Sequence, residues 1–197
     1  MKTGLEFLCG ALILLSPLSA ISQEDIISGE REKSREEYLQ NAAKNRIRGA
    51  STLMGTVDQN LINAATILDK ECKGEYTNKT QRVKELEKAG LLKKDAGDYL
   101  CIVRDLYLKA QKSLELINVN KKAKKEQEAF KAEINSCKRE INFCTRYIPQ
   151  FYESAAEVYE TVPAREKATR CRDLAARYQD AIASGKIDTL APERILP

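Results

Sequence analysis

The chain has 197 residues, 43% of them hydrophobic and 31% charged, with a formal net charge of +4. That balance is too apolar for a disordered chain and sufficient for one ordinary core, and so small a charge, spread along the sequence, does not mark a nucleic-acid binder. Histidine is absent, which excludes Ser-His and Cys-His catalysis, imidazole metal ligation, histidine pH switching and haem attachment through Cys-x-x-Cys-His.

The first residues have the layout of an export signal. Lys2 stands in a short n-region, Leu12-Ile13-Leu14-Leu15 is the apolar run, Ser16-Pro17 is turn-prone, and Ala20 and Ser22 place small residues for cleavage after about Ser22. The expected destination is the periplasm or the cell exterior. Residues 1–22 are read as a cleaved leader, 23–185 as one helical domain and 186–197 as a loosely held tail with two prolines. No later run is apolar enough to span a membrane.

Downstream, apolar or small residues recur in steps of four and three: Ala43, Ile47, Ala50, Met54, Val57, Leu61, Ala64 and Leu68. That seam predicts one long helix from about Gly29 to Lys73, closed by Gly74. A short helix is predicted over 80–89, capped by Asn78 or Thr80, with Gly90 just past its end and Asp95 capping the next one. That next helix carries the seam Leu100, Val103, Tyr107, Ala110, Leu114 and Ile117, and the pattern breaks at Asn118-Val119-Asn120.

The third long seam runs from Ala123 through Phe130, Ile134, Cys137, Ile141, Cys144 and Ile148 to Val162. Pro149 interrupts it, and a kink or reversal is expected between Tyr147 and Pro149, because proline removes a backbone donor and crowds the preceding turn. A last helix is predicted to begin at Pro163, with Ala164, Ala168, Cys171, Ala175, Tyr178 and Ile182 as its seam, and to stop at Gly185. Recurrence of Arg-Asp-Leu-like triplets is too weak to define a repeat. The fold class that follows is all-α: an extended, mostly antiparallel bundle of long heptad-like helices.

Export gives the cysteines weight, since thiols oxidise in that compartment. Loss of Cys9 with the leader leaves Cys72, Cys101, Cys137, Cys144 and Cys171. Two disulfides and one leftover thiol account for five. Cys137 and Cys144 lie about 10.5 Å apart along one helix and cannot join each other. A reversal at Pro149 would bring Cys144 level with Cys171, and a hairpin after Cys72 would bring it to Cys101. The expected bridges are therefore Cys72–Cys101 and Cys144–Cys171, with Cys137 unpaired, each worth roughly 3–4 kcal/mol in the chain-entropy model. The spacing lacks a Cys-x-x-Cys pair, so no metal site is expected.

No nucleophile, base and orienting group assemble from these residues, so no catalytic residue and no cofactor are expected. The tripeptide Asn78-Lys79-Thr80 matches a glycosylation acceptor. The cations Lys121, Lys122, Lys124 and Lys125 mark a possible contact with an anionic membrane surface, though a solvated first turn explains them as well. Tyr147, Tyr152 and Tyr159 surround the proline and could line an apolar cavity, or simply pack. Two functions follow: an exported adaptor that offers helix surfaces to another protein or to its own copy, or a carrier of an apolar small molecule or lipid near Tyr147–Tyr159. Neither needs a nucleic-acid partner.

Overall fold

The computed structural model describes residues 23–189, with side chains described over 31–188 apart from Lys121. The predicted leader, Cys9 and the end of the predicted tail lie outside the described residues. Among the described residues there are four α-helices and no strand: α1 (Gln23–Cys72), α2 (Lys79–Glu115), α3 (Lys124–Glu160) and α4 (Arg165–Ala183). Short 3-10 turns at Val119–Lys121 and Ile187–Thr189 follow α2 and α4. No described helix is long and apolar enough to cross a membrane.

The chain divides into two compact units, residues 1–38 and 39–197. The described part of the first is the start of α1, polar in sequence, with Tyr38 72% exposed. All packing described below is within the second unit.

Local chemistry sets the helix ends. After α1, Gly74 adopts φ 66°, and the amides of Gly74 and Glu75 bond back to the carbonyls of Glu71 and Lys70. This is a Schellman closure, which needs a left-handed residue that glycine supplies without a Cβ clash. Gly185 closes α4 in the same way. Asn78 opens α2, its side-chain oxygen accepting from the amides of Thr80 and Gln81 at 2.9 and 3.2 Å.

The seams become the core. Ala43, Ala50, Val57 and Ala64, one per heptad, are fully buried on α1, while Ile47, Met54 and Leu61 flank them half-buried. Leu100, Val103, Tyr107, Ala110, Leu114 and Ile117 are all buried. So are Cys137, Cys144, Ile148, Ala155 and Val158 on α3.

One predicted helix end, at Gly90, and the predicted reversal at Pro149 are absent. Gly90 does not end a helix, since α2 runs unbroken through it and Asp95 is an interior residue. Pro149 lies inside α3 and the helix continues to Glu160. The lost hydrogen bond and crowding cost about 3 kcal/mol. Ile148 and Tyr152, buried on either side, each recover about 1.5–3 kcal/mol only if the helix continues.

Neighbouring helices in sequence run antiparallel. Gly49 faces Leu106, and Glu71 takes a hydrogen bond from Arg82; Arg104 reaches Thr145, and Lys93 reaches Ser154; Glu153 faces Gln179, and Glu160 faces Arg172.

Candidate functional site

A close approach of α2 and α3 joins two matched pairs. A Cβ on Gly90 would sit 2.8 Å from the ring of Tyr159, and one on Gly97 would sit 3.1 Å from the ring of Tyr152. Two glycines seven residues apart on α2 thus make the holes for two tyrosines seven apart on α3. Tyr152 and Tyr159 are each 2% exposed. They fill the space in which the sequence allowed a cavity, and the tyrosines are packing residues of α3 against α2.

A polar cluster surrounds Tyr152. Its hydroxyl donates to Oδ1 of Asp98 at 2.7 Å, and Nζ of Lys94 reaches Oδ2 of the same carboxylate at 2.5 Å. The Cys101 thiol lies 3.6 Å from the Tyr152 hydroxyl, and the Tyr178 ring stacks on that of Tyr152 at 5.9 Å. One turn on, Arg104 donates to Thr145 at 2.9 Å and pairs with Asp188. The first residues after Gly185 are thereby fastened to α2. Among the described residues, no buried side-chain nitrogen or oxygen lacks a hydrogen-bond partner. A network so completed specifies how α2, α3 and α4 meet.

Burial holds the hydroxyl and thiol protons of this cluster in place. Burial raises the Tyr152 hydroxyl far above the ordinary phenol range, and Cys101 and Asp98 add to the effect. Burial likewise raises the thiols of Cys101, Cys137 and Cys171. It pushes Cys144 up to about 12, with Glu140 adding and Arg104 opposing. A thiol held protonated is a poor nucleophile and a poor metal ligand. Among the described residues, no group of three or more Cys, Asp or Glu side chains converges as a metal site.

The five described cysteines are free thiols, and the helix registers explain why neither expected bridge forms. Because α2 does not break at Gly90, Cys101 stands opposite the region of Leu53 on α1, about 19 residues and so about 28 Å along the helix from Cys72. Because α3 does not reverse at Pro149, Cys171 stands opposite Thr161, about 25 Å along α3 from Cys144. A disulfide requires Cα atoms within about 7 Å. Cys137 is a free thiol like the other four.

Two surface features remain. On α3, Phe143, Tyr147 and Phe151 form a ladder with ring centroids 4.6 and 6.3 Å apart, and the Arg146 guanidinium lies 5.8 Å from the Tyr147 ring. Phe143 is 41% exposed. Between α2 and α4 lies a cleft of about 340 Å³. Its apolar lining is Leu91, Tyr159 and Cys171, and its polar lining is Glu87 with the cations Lys84, Lys88, Lys94, Lys167 and Arg170.

The predicted basic cluster does not present four equivalent charges. Lys122 is half-buried with its ammonium 5.6 Å over the Phe130 ring, Lys124 and Lys125 are exposed, and the Lys121 side chain lies outside the described residues. The chain matches no family model, no curated protein and no solved structure.

Proposed function

We propose that this is an exported, non-enzymatic helical interaction protein that binds another protein, or a second copy, through the aromatic face of α3. The leader-like N-terminus motivates export. The observation that carries the binding reading is the ladder of Phe143, Tyr147 and Phe151 beside Arg146. Aromatic residues and arginine are enriched among the residues that carry protein interfaces, the aromatics because rigid rings bury large area at small entropic cost. Phe143 is exposed and the half-buried Tyr147 and Phe151, packed on the core beneath, extend its edge along about 12 Å of helix as an anchor. The buried thiols of Cys101, Cys137, Cys144 and Cys171 support the same reading, since burial holds them protonated.

Size-exclusion chromatography with light scattering, followed by crosslinking in the native host, tests this. Phe143→Ser combined with Tyr147→Ser is expected to weaken self-association or partner capture at least tenfold while the helical signal is retained. Association unchanged by the double substitution contradicts the proposal.

A second reading, a small-molecule carrier, is favoured by the cleft beside Tyr159. The cleft touches the expected region only at Tyr159, opens on the α2/α4 side and carries a cationic rim.

A further inference from the structure

We infer that the α2/α4 cleft binds a small free anion with an apolar body, of the alkyl phosphate or alkyl carboxylate class; this rests on the carrier reading and names its ligand. The helical repeat makes the site. Glu87 and Lys88 lie three and four residues after Lys84, Leu91 four and three after them, and Lys94 three after that, so all five share one face of α2. The first turns of α4 add Lys167, Arg170 and Cys171, and the edge of the Tyr159 ring completes the lining.

Five cations therefore line a wall with one carboxylate, and that carboxylate is already engaged, Glu87 by Lys167 at 3.4 Å. Lys94 is held by Asp98. Lys84 and Lys88, four apart on the helix, make no ion pair among the described residues. Like charges at that spacing repel, and a concave basic wall concentrates their field. Below them Leu91 remains 49% exposed. Crowded cations and a wetted leucine are two separate costs, and one occupant relieves both: an acidic head among the ammonium groups and a hydrocarbon body over Leu91, beside the edge of the nearly buried Tyr159 ring. The volume, at the lower end of the range for small-molecule sites, fits such a ligand and is too small for a folded partner or a helix.

Calorimetric titration of the full chain with monomeric decyl phosphate tests the assignment. Decanol, inorganic phosphate and phosphatidylglycerol vesicles serve as comparison ligands. The expected result is saturable one-to-one binding of decyl phosphate, at least tenfold tighter than decanol or inorganic phosphate and weakened by salt. Lys84→Glu with Lys88→Glu, two exposed positions, is expected to weaken binding at least tenfold, and Lys124→Glu with Lys125→Glu, an equal charge change elsewhere, to leave it unaltered. Equal loss in both double variants overturns the site. Binding of vesicles without uptake of the monomer overturns the free ligand. If decanol binds as tightly as decyl phosphate, the anionic class fails and the carrier reading stands; if no amphiphile binds, both fail.

Discussion

At the scale of single residues, the buried protons of the core make stability depend on alkaline pH in a definite direction. Cys144 is fully buried, and its thiol is pushed from 9.0 up to about 12. The unfolded chain releases this proton above pH 9, whereas the folded chain keeps it until about pH 12. The contribution is therefore fully present below pH 9 and is lost as pH rises through that window. Thermal unfolding followed by circular dichroism should show a falling Tm above pH 9. Each such group contributes a slope of about 1.4 kcal/mol per pH unit, and Cys144→Ala should make the decline shallower. A flat profile between pH 9 and 11 would contradict this assignment of buried protons. Accessibility gives a companion prediction. Cys72 is exposed and the other four described thiols are buried, so a thiol reagent should label Cys72 in the native protein and all five after unfolding.

At the scale of helices, the glycines separate two physical roles. An added methyl at Gly90 meets ring atoms of Tyr159 at 2.8–2.9 Å, inside a contact that cannot open without moving α3. Gly90→Ala should destabilise by about 1–3 kcal/mol, the usual cost of overpacking, less the gain in helix propensity. Gly55 has nothing within 4 Å of such a methyl, so Gly55→Ala should stabilise by about 0.5–1 kcal/mol. Urea unfolding of the two variants measures both, and destabilisation by Gly55→Ala or its absence in Gly90→Ala would refute the packing account. These same residues show how far the sequence could be read. Heptad spacing located α1 and the buried positions of α2 and α3, because one buried stripe leaves one periodic trace. Tyr152 and Tyr159 are legible as packing candidates, but the sequence does not match their stripe with Ala156 to α2, since Glu153 and Glu157 interleave it and it meets small residues rather than large apolar ones. A signal did exist: Gly90 and Gly97 share the seven-residue spacing of Tyr152 and Tyr159. Read as a break, Gly90 misplaced Cys101; read as a reversal, Pro149 misplaced Cys144. Local rules for glycine and proline yielded in both places to burial against a neighbouring helix, and the expected disulfides fell with them.

At the scale of the molecule, residues 39–197 form a unit held by packing, a completed polar network and ion pairs, without covalent staples among the described residues. Export and free thiols are compatible when the thiols are buried and far apart, since oxidation needs both access and proximity. Non-reducing peptide mapping should accordingly find neither Cys72–Cys101 nor Cys144–Cys171. What this unit offers to other molecules is its surface, an aromatic ladder on α3 and a basic cleft between α2 and α4. The ladder bears the proposed function most directly. Photo-crosslinking residues introduced singly at Phe143 and Tyr147, and for comparison at the exposed Lys112 of α2, should be activated in the native host. The account predicts discrete protein adducts, heterologous or with a second copy, at the two ladder positions and none at position 112. Adducts of equal yield at all three positions, or none at 143 and 147, would contradict it.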